Sequence, residues 1–193
     1  MKITHEFEVQ RPIEQVWDFF QDVPSVAQCL PGAEITDDKG DGVYAGKLGV
    51  KLGPLTATFE GEATVTPDEA NRTASIKGKG VDRRGGSRGQ VTVDYRLAET
   101  DGGTAVAIDA DVLLSGAAAQ FGRTGLINEM SQRLIGDFVN CLEGKLAAPS
   151  AAAAAEVSAP EVKGISLFFA SLFASIGRFF RRLFGGSTQA PSE

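Results

Sequence analysis

From Leu55 to Thr66 the chain alternates without a break. Leu55, Ala57, Phe59, Gly61, Ala63 and Val65 stand on one side, and Thr56, Thr58, Glu60, Glu62, Thr64 and Thr66 on the other. A period of two with one polar side describes an antiparallel strand that has one face in water, so the other face needs a cover. Turn signals at Asp38–Gly42, Gly53–Pro54, Pro67–Asn71, Asp82–Gly89 and Asp101–Gly103 cut the surrounding region into six strands. Another strand comes first, Lys2–Gln10, with Ile3, His5, Phe7 and Val9 on its apolar side. Pro12 then sits where helices start, followed by Ile13, Val16, Trp17 and Phe20 at helical spacing. A second short helix is predicted over Val23–Cys29, ended by Leu30, Pro31 and Gly32. The cover is the pattern from Gly116 to Leu146, where Phe121, Ile127, Met130, Leu134, Phe138, Cys141 and Leu142 recur every three or four residues. These elements predict an α+β fold in which a seven-stranded curved antiparallel sheet wraps a long C-terminal helix.

Beyond the body the chain changes character. Leu146–Lys163 is a Pro, Ala and Ser stretch with almost no large apolar residue, which reads as a flexible linker. After it, Ile165, Phe168, Phe169, Leu172, Phe173, Ile176, Phe179, Phe180, Leu183 and Phe184 share one face of a helix, while Ser171, Arg178, Arg181 and Arg182 crowd the other. The longest uncharged run here, Gly164–Gly177, falls short of the about 20 apolar residues a spanning helix needs. The segment instead suits the bilayer interface, its arginines among lipid phosphates and its apolar face in the acyl boundary. Burying half of those ten side chains at about 1.5 kcal/mol each would hold a protein on a membrane reversibly. Capping a core or packing on a partner helix is the alternative. The expected division is 1–146 for the body, 147–163 for the linker, 164–186 for an amphipathic membrane-binding helix and 187–193 for a disordered end.

Charge separates the parts in the same way. Met1–Leu146 carries 15 Lys and Arg against 22 Asp and Glu, whereas Lys163–Phe184 has four basic residues and no acid. An acidic body offers nothing to nucleic acid, and it leaves attraction to anionic lipid to the tail. The first twenty residues hold Glu6, Glu8, Arg11 and Glu14, so no hydrophobic signal region is expected and the protein is placed at the cytoplasmic face of the membrane, as a peripheral protein. Cys29 and Cys141 are too few for a disulfide framework and lack metal-ligand spacing; two reduced thiols are expected.

Three strings carry a resemblance: QCLPGAEI (Gln28–Ile35), VKLGPLTATFEGEA (Val50–Ala63) and ADVLLSGAAAQFGRTGLI (Ala110–Ile127). In that order they resemble the CoxG family of carbon monoxide dehydrogenase subunits, part of the START-like polyketide-cyclase superfamily of helix-grip domains. The resemblance implies a hydrophobic cavity between sheet and long helix and no catalytic role. It also implies an accessory task for molybdenum-containing carbon monoxide dehydrogenases or related hydroxylases: attaching the enzyme to the cytoplasmic membrane and carrying an isoprenoid quinone, menaquinone or ubiquinone. No covalently held or metal cofactor is expected.

The residues themselves bear on the cavity. Gly46, Gly61, Ala63, Ala74, Gly78 and Ala110 are small inner-face positions, which leave volume that either a ligand or Met130, Phe121 and Trp17 would fill. Leu30, Tyr44, Leu48, Leu52, Phe59, Phe121, Ile127, Met130 and Leu134 are the expected lining, suited to a long apolar ligand oriented by few polar groups. Catalysis is hard to assemble. His5 lies among apolar neighbours as a packed residue, Asp109 and Asp111 share a water-facing side of one strand, and Ser87 and Ser115 have no histidine partner. GKLGVKLG lacks the spacing of a phosphate loop. Arg83, Arg84 and Arg88 cluster on one turn, either as a solvated hairpin or as a contact for lipid headgroups or an acidic partner. The readings that remain are a membrane-tethered quinone carrier, a ligand-free docking subunit, and a small cyclase or hydrolase.

Overall fold

The computed structural model describes residues 1–52, 55–123 and 126–159, with side-chain surroundings given outside 52–55 and 121–128. The chain runs β1 (Lys2–Val9), α1 (Ile13–Gln21), α2 (Val23–Gln28), β2 (Ala33–Asp38), β3 (Val43–Leu52), β4 (Leu55–Asp68), β5 (Thr73–Asp82), β6 (Ser87–Thr100) and β7 (Gly103–Ser115). A 3₁₀ segment (Gly116–Arg123), α3 (Leu126–Ala147) and α4 (Ala151–Glu156) follow. The seven strands form one antiparallel sheet in the order β1-β7-β6-β5-β4-β3-β2. Hairpins account for every neighbour except β1, which returns to pair with β7 and so brings the first helices under the sheet.

Register places the alternating apolar positions on one face. Ile3 faces Ala110, which faces Val93, which faces Ile76, which faces Val65. Across the middle of the sheet the same face carries a row of glycines, Gly46 opposite Gly61, Gly61 opposite Gly80, and Gly80 opposite Gly89. Here the strands roll so tightly that a Cβ on Gly61 would strike the Lys79 carbonyl oxygen and come within 2.7 Å of the Gly80 Cα. One on Gly46 would come within 2.6 Å of the Glu34 oxygen. The row is what lets the sheet curl.

The packed core occupies one end of that curl. Val9, Val16, Val106 and Leu142 are fully buried, and Ile13, Trp17, Phe19, Phe20, Tyr95, Leu97 and Phe138 surround them. Phe138 on α3 meets Phe7, Phe19 and Phe20 with ring centroids 6.3, 6.4 and 5.9 Å apart, all edge-on, the arrangement aromatic quadrupoles favour.

Three sequence expectations need amendment. The long helix starts at Leu126 rather than near Gly116, because Gly116 adopts φ +72° and closes against the β5–β6 turn. The cysteines are not free thiols: Cys29 and Cys141 form a disulfide, their Cα atoms 5.4 Å apart, joining the end of α2 to α3. The stretch expected as linker is taken up by the body as far as Ala159. Ser150 caps α4 by accepting from the Ala153 N–H (3.2 Å), Val157 packs on the core, and the Ala159 N–H donates to the Gln28 carbonyl (2.9 Å). A run of alanines has the highest intrinsic helix propensity, which a loop reading of Pro, Ala and Ser content passes over. The compact unit accordingly runs Met1–Pro160. The tail residues expected on the membrane, Ile165–Phe184, lie outside the described residues.

Candidate functional site

The inner face of the sheet beyond the packed core is the candidate site. Tyr44, Phe59, Ile76, Val91, Val93, Ala110 and Val112 point from the sheet's inner face and are only half-buried, and Leu48 is 40% exposed. β3 and β4 set Leu48 directly opposite Phe59, and Tyr44 opposite Ala63. The Phe59 side chain stands over positions 80 and 89: a Cβ on Gly80 would lie 3.1 Å from the Phe59 Cβ, tighter than side chains normally pack, and one on Gly89 would meet its ring at 3.5 Å, an ordinary contact.

Of the expected lining residues, Tyr44, Leu48 and Phe59 therefore share one apolar strip. Met130 and Leu134 are half-buried one turn apart on α3, and Leu30, also half-buried, packs against the core at the end of α2. The side-chain surroundings of Leu52, Phe121 and Ile127 lie outside the described residues. α3 crosses β1, where His5 Nε2 and Ser131 Oγ share a 3.0 Å hydrogen bond, so the histidine is a half-buried structural contact as expected.

The opposite face is polar. Asp109 accepts from the Thr4 hydroxyl (3.0 Å), Asp111 pairs with the N-terminal ammonium (3.1 Å), and both are exposed. Two open depressions on this face, about 340 and 420 Å³, share Asp94 and Asp109. They arise where threonine, serine and aspartate stand side by side, and neither is the cavity expected beneath α3. Among the described residues no group of three potential metal ligands occurs, and no helix is long and apolar enough to cross a membrane.

Two polar groups inside the body escaped sequence reasoning. Lys145 on α3 is 6% exposed, and its ammonium donates to Gln28 Oε1 (2.7 Å) and the Ala154 carbonyl (2.9 Å), clasping α2 and α4 together. Burial pulls its pKa down, opposed by the Asp22 carboxylate. A lysine amid a Leu and Ala pattern gave no sign of this.

Tyr95, 4% exposed beside Trp17 and Phe20, has its pKa pushed up to about 12 by burial. Gln21 is near enough to offset this slightly, yet neither the Tyr95 hydroxyl nor the Gln21 amide nitrogen completes a hydrogen bond within the protein. Folded Tyr95 keeps its proton after an unfolded tyrosine has lost it. Stability is therefore full below pH ~10 and falls as the pH rises toward about 12, by at most about 2 kcal/mol. Urea midpoints across that range should show this slope in the parent and a flatter one in Tyr95→Phe. Equal slopes would mean that Tyr95 ionises as freely in the folded protein as in the unfolded one.

A curved antiparallel sheet closed over a long C-terminal helix defines the class of helix-grip domains. A conserved protein from Geobacillus kaustophilus superposes with a TM-score of 0.65 at 17% identity, over 76% of this chain and 95% of that one. A protein from Thermus thermophilus gives 0.56 at 13% identity, over 76% and 97%. The ZhuI aromatase/cyclase from Streptomyces sp. R1128 gives 0.54 at 18% identity, over 76% and 93%. At these identities the likeness is one of fold. The particular family follows from sequence: residues 6–147 match the CoxG subunit of carbon monoxide dehydrogenase, and the chain belongs to that family. No curated protein matches it by sequence.

Proposed function

We propose that this chain is a non-catalytic accessory protein that takes up a hydrophobic, lipid-like ligand on the inner face of its sheet. The ligand is a respiratory isoprenoid quinone, menaquinone or ubiquinone, supplied to a molybdenum carbon monoxide dehydrogenase or related hydroxylase at the cytoplasmic face of the membrane. The tail from Ile165 to Phe184, with Arg178, Arg181 and Arg182, holds the protein on lipid.

One observation carries the reading: a strip of Tyr44, Leu48 and Phe59 on the inner face of a sheet whose packed core ends short of it. Apolar surface left partly in water is unfavourable by about 25 cal/mol per Å², so an apolar chain laid along it binds without a specific polar partner. Membership of a family named for a dehydrogenase component supports the choice of partner enzyme.

Organic extraction of the purified full chain, followed by mass spectrometry, tests this. An isoprenoid quinone near one per chain is expected, and Leu48→Glu, at an exposed position, should leave the fold intact and lose the ligand. Repeated absence of quinone from folded protein, even after incubation with quinone-loaded vesicles, would leave only the docking role.

A further inference from the structure

The turn between β5 and β6, Arg83–Gly86, is built rigidly for a surface hairpin. Asp82 is 3% exposed and its Oδ1 accepts the Arg84 N–H at 3.1 Å. Ser87 is fully buried and its hydroxyl oxygen accepts the Ala118 N–H at 3.1 Å, tying the hairpin to the 3₁₀ segment that leads into α3. Gly116 closes the same junction, for a Cβ there would strike the Gly86 carbonyl.

This frame presents Arg83, Arg84 and Arg88 to solvent, and among the described residues none of them has an acidic partner, in a chain of net charge −6. Large apolar side chains flank them. Val81 pairs with Arg88 across the hairpin and is 41% exposed; Leu113, across from Gln90, is 61% exposed. Glu60 is the acid in register with Val81. Arginines standing beside exposed aliphatic side chains match a surface whose phosphates lie just above hydrocarbon.

The hairpin also sits at the end of the sheet away from the packed core. Val91, Val93 and Val112, the half-buried inner residues of β6 and β7, lead toward it, whereas Tyr95, Leu97 and Val106 lead toward α1.

We propose that the Arg83–Arg88 hairpin is a second lipid contact, on the body itself, that docks on anionic phospholipid and turns the end of the sheet remote from α1 toward the bilayer. The proposal rests on the membrane reading above and adds an orientation to it. A tail alone sets only that the protein stays near lipid. A docked hairpin fixes which end of the body meets it.

The test compares full-length proteins on phosphatidylcholine vesicles with and without phosphatidylglycerol. In Arg83→Gln/Arg84→Gln/Arg88→Gln, affinity for the anionic vesicles should fall about fivefold per arginine, on the order of a hundredfold together, with binding to neutral vesicles unchanged. The Arg→Lys triple variant keeps the charges and should bind like the parent. Parent-like binding by the Gln variant overturns the hairpin contact while leaving the membrane reading intact. Equal loss in the Lys variant shows damage to the fold, and overturns it too. Loss of dehydrogenase co-purification with vesicle affinity unchanged assigns the hairpin to a protein partner instead. A parent that binds neither vesicle overturns the membrane reading itself.

Discussion

Reducing the Cys29–Cys141 disulfide is expected to lower the free energy of unfolding by about 2–5 kcal/mol. The two residues are 112 apart in sequence, so the bridge removes from the unfolded chain nearly all the freedom of a closed loop that spans most of the sheet. In the folded protein both cysteines are buried, Cys29 fully, against Leu142 and the α1 aromatics in the core cluster. Urea unfolding with and without a dithiol reductant reads the effect as a shift of midpoint. The bridge lies one residue from Gln28, which holds both Lys145 and the Ala159 N–H, so its loss should also raise amide exchange in Ala151–Ala159. Coincident midpoints would show that the native contacts alone hold α2 against α3.

Phe138→Ala is expected to cost about 3–5 kcal/mol. The ring is 4% exposed and touches three others, from β1 and α1, which cannot close over the vacated volume without abandoning their edge-on packing. Met130→Ala, two turns earlier on the same helix and half-buried, should cost only ~1 kcal/mol. Thermal unfolding of the two variants thus maps where α3 passes from packed interior to open face. A Met130 variant as damaging as the Phe138 one would mean the core fills the whole sheet, and would weaken the case for a ligand there.

Much of the architecture was legible because strand alternation is a local signal. Phe59 and Gly61 announce their face by their neighbours, and each turn carries Gly, Pro, Asn or Asp where backbone geometry requires it. The pairing of Cys29 with Cys141 was not legible, since it depends on two helices distant in sequence meeting over the sheet. Nor was the clasp of Lys145, whose place in an amphipathic pattern is that of an ordinary charged residue. For the candidate site, alternation correctly gathered Tyr44, Leu48 and Phe59 onto one face, but it says nothing of depth: Leu30 packs on the core while Leu48 stands in solvent. The resemblance in Gln28–Ile35, Val50–Ala63 and Ala110–Ile127 supplied the family, which no periodicity could.

The glycines that face one another from β3 to β6 act as a crease. Along it the sheet folds because no side chain stands between the strands there. Curvature is thus a property of where side chains are missing, and at Gly46 and Gly61 backbone comes close enough to meet backbone. Side chains introduced at Gly46 or Gly61 would force β2 or β5 away and flatten the sheet, so the bend of this domain is written into its backbone.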